Sequence, residues 1–199
     1  MDRIPAPSAC VLATVLATVD TLAVGPVPKA TASPAATGDF SGLVDIGGRS
    51  LHLECRGQGG PTVILEAGAG GRADVWSRDL EDPDTRTMVL PGVAAFTRVC
   101  AYDRPGTLTE RNPSLDPHGP LFYPSRSDPV PQPRTTQDRV NDLHALTGAA
   151  AIPGPYVLVG HSAGGLVVRL YASEYRTRWS AWCCWTRPTR MCGCVSRRP

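Results

Sequence analysis

The sequence predicts an α/β protein whose mostly parallel sheet is flanked by helices. Residues 62–65 form a continuous apolar run, which is typical of a strand buried on both faces of a parallel sheet. Residues 156–171 give an apolar strand, a glycine-rich turn and a helical pattern in succession. A second helical pattern, over residues 135–147, lies between these two strands. Strands that alternate with helices indicate a parallel sheet with helices on both faces.

Length and composition indicate one soluble globular domain. The chain has 199 residues, of which 42% are hydrophobic and 19% are charged, so it is long enough for a substantial core. Six of the 20 basic residues follow Tyr175, and all six are arginines. The residues up to Tyr175 therefore include 14 basic and 18 acidic residues, which gives a net charge of about −4. No basic cluster precedes Tyr175, so we expect no nucleic-acid partner.

Residues 1–38 resemble a leader with a spacer. A mostly apolar run over residues 9–19 is followed by Asp20, and Ala30-Thr31-Ala32 fits an Ala-x-Ala cleavage site. This pattern predicts a signal peptide and a secreted or cell-envelope location. The alternative is a disordered leader on a cytoplasmic protein. The apolar run is too short and too interrupted to predict a stable membrane span.

The globular pattern starts at about residue 39. Residues 43–46 and 51–55 alternate like strands around Gly47-Gly48, which predicts a hairpin. The strand at residues 62–65 ends in Gly68-Ala69-Gly70-Gly71, a loop whose backbone amides can point at an anion. Residues 96–102 predict a fourth strand, closed by Asp103-Arg104-Pro105-Gly106.

Seven prolines between Gly106 and Arg134 exclude a helix or a central strand. They predict a long surface loop, either a lid or binding loop or a disordered insertion. The following Thr135-Thr136-Gln137-Asp138 predicts a capping box at the start of a helix. Its buried face is predicted to contain Val140, Leu143, and Leu146 or Thr147.

The sequence Gly160-His161-Ser162-Ala163-Gly164 fits the pattern G-x-S-x-G. A serine at a tight strand-to-helix turn has a strained backbone, and glycines two residues away on each side let neighbouring segments approach. The alternative is a glycine-rich turn with a surface serine. The order of strand, turn and helix favours the first interpretation, with Ser162 as the nucleophile. The helix is predicted to bury Leu166, Val167, Leu170 and Tyr171.

With these motifs the chain resembles the α/β-hydrolase-fold family, in particular its esterase-like serine hydrolases. The matching segments are residues 61–68, residues 97–104, and residues 152–156, which lead into the G-x-S-x-G turn. This turn, residues 160–164, is called the elbow. The resemblance covers residues 40–175. It implies the N-terminal portion of the α/β-hydrolase domain, over residues 39–175, without the last strands of the fold.

The resemblance also implies a mechanism. Ser162 would attack the acyl carbon of a small ester-like substrate, and the backbone N–H groups of Ala163 and Ala69 would hold the oxyanion. No cofactor and no metal is implied. In the family's usual strand order the second and fourth strands are neighbours, so Cys55 and Cys100 are placed to form a disulfide in exported protein.

The acid and base that should assist Ser162 are not evident. The family order is serine, acid, histidine, but after Ser162 the sequence has one acid, Glu174, and no histidine. His52 and His144 are expected to be structural, and His161 is expected to point away from Ser162. His118, in the proline-rich loop, is the remaining candidate base. The sequence therefore predicts an impaired serine hydrolase, or alternatively a catalytically dead remnant that binds a small ligand.

Residues 176–199 form an aberrant tail rich in Trp, Cys and Arg, without a hydrophobic period. Written in G+C-rich codons and read with one base restored before Arg176, the tail begins Pro-Asp-Glu-Val-Val-Arg-Val-Val-Leu-Leu-Asp-Pro. That continuation resembles the family's sixth strand, which predicts a frameshift after Tyr175. The weaker alternatives are a basic membrane-binding peptide or a zinc site. The zinc ligands would be Cys183, Cys184, Cys192 and Cys194. The tail is expected not to replace the missing strands. The strand before the elbow would then be an open edge, and the chain would be aggregation-prone or partly unfolded.

Overall fold

The computed structural model describes residues 38–78, 87–110, 117–187 and 190–197. The predicted signal peptide lies outside these described residues. The helices are α1 (Val89–Ala94), α2 (Thr136–Ala149) and α3 (Gly164–Glu174), with 3₁₀ turns at Ala73–Trp76 and Arg176–Arg178. The strands are β1 (Phe40–Asp45), β2 (Ser50–Arg56), β3 (Val63–Glu66), β4 (Val99–Tyr102), β5 (Leu108–Glu110), β6 (Phe122–Pro124), β7 (Tyr156–His161), β8 (Trp179–Arg187) and β9 (Arg190–Ser196).

Among the described residues, seven strands form one mixed sheet in the order β1-β2-β4-β3-β7-β8-β9. The four central strands β4, β3, β7 and β8 are parallel to one another. Antiparallel pairs add β2 and β1 at one end and β9 at the other. The carboxyl ends of β3, β4 and β7 therefore meet at one edge, where ligand sites of parallel sheets form.

Both faces of the sheet are covered, as the sequence predicts. Alternate residues of β3 enter two different cores, because successive strand side chains point to opposite faces. Ile64 packs with α2 and α3, whose contributions to this core include Leu143 and Tyr171. Val63 and Leu65 pack on the other face with Trp76 and with Leu90 of α1.

Most predicted elements are confirmed. The β1–β2 hairpin forms around Gly47 and Gly48, both of which have positive φ. The capping box at α2 is complete: the Asp138 amide donates to the Thr135 hydroxyl, and the Thr135 amide donates to the Asp138 carboxylate. The proline-rich segment forms no central strand within its described part. It does include β5 and β6, which pair as a separate two-stranded sheet.

The buried face of α3 differs from the prediction at Leu166 and at Val168, and Leu170 is only partly buried. Leu166 was expected inside, yet its side chain is 58% exposed. Val167, Val168 and Tyr171 are buried, together with the first two glycines of the helix. The reason is the elbow, because Gly164 and Gly165 must face the sheet and therefore set the rotation of the helix.

The predicted open edge beside β7 is wrong, because β8 pairs with β7 in parallel register and β9 continues the sheet. The physical reason lies in the residue types. Trp favours strands and Cys packs as a small apolar residue, so the tail can occupy a buried strand position. Trp179 is buried and its indole donates to the Ala172 carbonyl at 2.8 Å. Aggregation or partial unfolding of the chain stays a prediction, but an open edge at β7 is not its cause.

Where both side chains are described, two disulfides join neighbouring strands. Cys55 of β2 and Cys100 of β4 are paired in register and bonded, which confirms that predicted pairing. Cys183 of β8 is bonded to Cys194 of β9. Cys184 is also disulfide-bonded, so three of the four proposed zinc ligands are oxidised, and this contradicts the zinc alternative for the tail. None of the helices within the described ranges is both long and apolar enough to cross a membrane.

Candidate active site

Ser162 lies at the turn between β7 and α3 with a φ of +50°, a left-handed conformation that is unusual for a serine. Its backbone amide donates to the Trp185 carbonyl at 2.6 Å, and its carbonyl accepts from the Gly165 amide at 2.9 Å. The side chain is exposed. The strained backbone therefore presents the hydroxyl at the carboxyl end of β7.

The two flanking glycines are required by close backbone contacts. A Cβ atom at Gly160 would lie 2.6 Å from the Gly164 carbonyl oxygen. One at Gly164 would lie 2.4 Å from the Glu66 carbonyl oxygen at the end of β3. Both distances are shorter than any real Cβ contact, so the G-x-S-x-G spacing is needed for α3 to start directly against the sheet.

The loop after β3 lies beside Ser162. A Cβ atom at Gly68 would lie 3.4 Å from the Cβ of Ser162. Ala69 follows in this loop, and Ala163 follows Ser162 in the elbow. Within the described ranges, neither of these two alanine amides donates a hydrogen bond to the protein. The structure thus brings the predicted nucleophile, its neighbour Ala163 and the loop that contains Ala69 to one place.

A buried ion pair holds the loop after β3. The guanidinium of Arg104 contacts the Glu66 carboxylate, and both side chains are almost fully buried. The same guanidinium donates to the carbonyls of Ala67 and Gly68, at 2.5 Å for Ala67. Burial lowers the pKa of Arg104, but the Glu66 carboxylate and Tyr102 together outweigh burial, so the pKa is raised. Arg104 therefore stays charged.

This contact fixes the direction of the Ala69 amide. The Gly68 carbonyl and the Ala69 N–H belong to the same planar trans peptide, so they point in opposite directions. Since Arg104 binds the carbonyl from one side, the N–H of Ala69 is directed to the other side. Arg104 is accordingly a positioning residue for the candidate oxyanion loop.

Asp103, directly after β4, ties further loops to this edge. Its carboxylate accepts from the Ala73 amide at 2.8 Å and from the amide and guanidinium of Arg126 at 2.8–3.0 Å. Burial raises the pKa of Asp103, but these hydrogen bonds outweigh burial and leave the pKa below its ordinary value. Asp103 therefore connects the 3₁₀ turn and the segment after β6 through a carboxylate that remains ionised.

We expect Asp103 to contribute to acid unfolding. Because its pKa is lower in the folded than in the unfolded chain, its contribution is complete above the unfolded pKa of about 3.9. The contribution is lost as the pH falls through the lower folded pKa. Urea unfolding at pH values from 6 to 3 should show a smaller loss of stability for Asp103→Asn than for the unmodified chain. An identical pH slope in both proteins would contradict this assignment.

No histidine among the described residues is hydrogen-bonded to the Ser162 hydroxyl. His52 is buried in β2, where burial lowers its pKa, and His144 stacks on Tyr175 at 3.9 Å between ring centroids. His161 lies edge-on to the rings of Trp76 and Trp185. His118 is exposed. The site therefore has a candidate nucleophile and candidate oxyanion donors, but no described histidine is hydrogen-bonded to Ser162 as its base.

Sequence reasoning missed the connection between Arg104 and Glu66. Glu66 ends β3, and Arg104 lies two residues after the end of β4. Two charged side chains at the carboxyl ends of adjacent parallel strands are the signal that could have identified them. That signal does not tell whether the two groups pair or face solvent.

Comparison with known proteins agrees with this fold. The model of the alpha/beta hydrolase family matches residues 63–195. A curated relative named "Probable transporter efuK" from Hormonema carpetanum is 28% identical over 134 residues, which cover 65% of this chain and 16% of that protein. The chain thus spans a small part of that relative.

Solved structures share the fold at low identity. An epoxide hydrolase of Vigna radiata is 17% identical with a TM-score of 0.54, and the match covers 76% of this chain and 39% of that one. A serine hydrolase involved in carbazole degradation is 20% identical with a TM-score of 0.53. That match covers 74% of this chain and 47% of the other. The chain therefore spans less than half of either enzyme.

Proposed function

Because the chain belongs to the alpha/beta hydrolase family, we propose that it is a serine hydrolase that acts on small ester-like acyl substrates through Ser162. The observation that carries this proposal is the exposed Ser162, which has a φ of +50°. It lies beside a loop in which the N–H of Ala69 donates no hydrogen bond to any described residue. This arrangement has the parts that acyl transfer needs from the protein backbone.

In the proposed reaction the Ser162 oxygen bonds to the acyl carbon and the alcohol leaves with a proton. Water then hydrolyses the acyl-serine, which releases the acid and restores the hydroxyl. The amides of Ala69 and Ala163 would stabilise the oxyanion in both steps. Proton removal from Ser162 needs a base, and no described histidine is bonded to it. We therefore expect impaired turnover in the 199-residue form.

The second candidate is a catalytically dead hydrolase remnant that binds a small ligand. It is favoured by that same lack of a histidine partner for Ser162 within the described residues. The two candidates differ in the reactivity of Ser162. A reactive serine forms a covalent adduct with an activated phosphonate, whereas a structural serine does not.

The test is labelling with a small fluorophosphonate, in which the serine oxygen bonds to phosphorus and fluoride leaves. We expect slow labelling at one site, lost in Ser162→Ala and retained in Ser173→Ala. Ser173 is the matched control because it is also exposed and lies at the other end of α3. Intact mass and peptide mapping measure the adduct. Absent labelling of the folded chain, or labelling that persists in Ser162→Ala, would contradict the proposal.

We also propose that the protein works outside the cytoplasm. The disulfide between Cys55 and Cys100 supports this location, since such bonds persist mainly in oxidising compartments. The predicted signal sequence is the second support.

A further inference from the structure

A cavity of about 300 Å³ lies next to the candidate oxyanion loop. Its wall includes Ala69 and Gly70 of that loop and Leu108 of β5. The wall also includes three arginines: Arg104, Arg134 and Arg139. Ala69 thus belongs both to the candidate oxyanion loop beside Ser162 and to the wall of this cavity. The cavity is therefore a candidate pocket for a second group of the substrate.

The charges of the cavity do not cancel. Arg104 is neutralised by Glu66. The acid in the cavity wall, Asp142, is buried and binds two arginines, namely Arg134 at 2.6 Å and Arg49. Arg139 is half-buried and forms no ion pair with any residue in the described ranges. The lining thus has positive charge in excess, and a partly desolvated guanidinium favours an anionic partner.

A neutral donor lies near these cations. Gly106, after β4, has a φ of +74°, and a Cβ atom there would lie 2.2 Å from the side-chain nitrogen of Gln132. Because Gly106 has no side chain, the Gln132 amide can pack against this loop at the cavity wall. The cavity therefore combines one guanidinium without an ion-pair partner with a side-chain amide, both of which can donate to an oxygen anion.

We propose that this cavity binds the carboxylate of an acyl substrate, with Arg139 as its principal partner and Gln132 as a further donor. The proposal deepens the proposed function and rests on it, because the acyl group must reach Ser162. Arg139, which forms no ion pair with any described residue, can bind the single charge of a carboxylate through its guanidinium. The substrate class is thus a short-chain ester that also has a free carboxylate, such as the monoester of a dicarboxylic acid.

The first test measures binding, so that it does not depend on turnover. Monomethyl succinate is titrated into the Ser162→Ala variant of the 199-residue chain, and chemical shifts or heats report the Kd. Dimethyl succinate is the neutral probe. We expect the monoanion to bind at least about tenfold more tightly than the diester, because a hydrogen-bonded charge typically contributes at least that much. Equal affinities would overturn the proposal.

The second test identifies the residue. Arg139→Gln, added to the same background, should weaken binding of monomethyl succinate about tenfold or more, and Arg139→Lys should restore part of it. Arg169→Gln is the matched control, since Arg169 is exposed on α3 and lies outside the cavity lining. Unchanged affinity in Arg139→Gln, or inorganic phosphate that competes more tightly than the monoester binds, would overturn the assignment.

Failure of this inference is distinguishable from failure of the proposed function. If Ser162 reacts with the fluorophosphonate but the monoester binds no better than the diester, only the carboxylate site is wrong. If Ser162 does not react while binding of the monoester depends on Arg139, the carboxylate site stands and the chain is a small-ligand binding protein.

Discussion

Restoring one base ahead of the Arg176 codon is expected to raise hydrolysis of a short activated ester by about 10²–10⁴-fold over the 199-residue chain. General-base assistance to a serine hydroxyl contributes about that much. The prediction follows from the frameshift hypothesis, in which the restored reading frame supplies the histidine and the acid that follow the nucleophile in this family. Release of 4-nitrophenol from 4-nitrophenyl acetate by the two purified proteins measures the ratio.

Ser162→Ala in the restored protein is the control, and it should abolish the added rate. The 199-residue chain should keep a small residual rate if the amides of Ala69 and Ala163 act without a base. Equal rates in the two proteins, both dependent on Ser162, would mean that a base such as His118 already serves this serine. An inert restored protein that binds acyl compounds tightly would instead favour the dead remnant.

Removing the guanidinium of Arg104 is expected to destabilise the fold by about 3–5 kcal/mol. Glu66 is fully buried, so Arg104→Gln would leave a carboxylate with neither water nor a counter-charge. The carbonyls of Ala67 and Gly68 would lose their charged donor as well. The free energy of unfolding from urea titrations, followed by tryptophan fluorescence, measures the effect.

Two further variants show whether the isolated charge is the cause. The double variant Arg104→Gln with Glu66→Gln should recover part of the lost stability, because it removes the unpaired carboxylate. Arg49→Gln should cost about 1 kcal/mol or less, since Arg49 is partly exposed and its partner Asp142 keeps Arg134. An Arg104→Gln variant as stable as Arg49→Gln would contradict the assigned role of the buried pair.

Local rules were sufficient for much of the fold. The β1–β2 hairpin needs two residues with positive φ, and Gly47-Gly48 provides them. The capping box at α2 is an exchange of hydrogen bonds between Thr135 and Asp138, three residues apart. The elbow at Ser162 follows from glycine spacing and backbone sterics. In each case the interacting groups are close in sequence, so the pattern of residue types is enough to predict the structure.

Strand pairing beyond Tyr175 depended on partners far apart in the chain. The tail has no hydrophobic period, yet β8 pairs with β7, and Cys184 packs against Gly165 of α3. The edge of β7 leaves N–H and C=O groups that any apolar, strand-forming segment can satisfy. The residue pattern of the tail cannot predict this pairing, because the unpaired groups belong to β7 and not to the tail.

The sequence by itself determined the strand–elbow–helix unit, the order of the central elements and the identity of Ser162 as the candidate nucleophile. The tertiary structure alone decided which face α3 buries, that Arg104 pairs with Glu66 and holds the Gly68 carbonyl, and that Arg139 lacks an ion-pair partner among the described residues. The physical reason is how far apart in the sequence the interacting groups lie. Backbone sterics and side-chain periodicity act over a few residues, whereas charge pairing and cavity shape depend on segments that only the folded chain brings together.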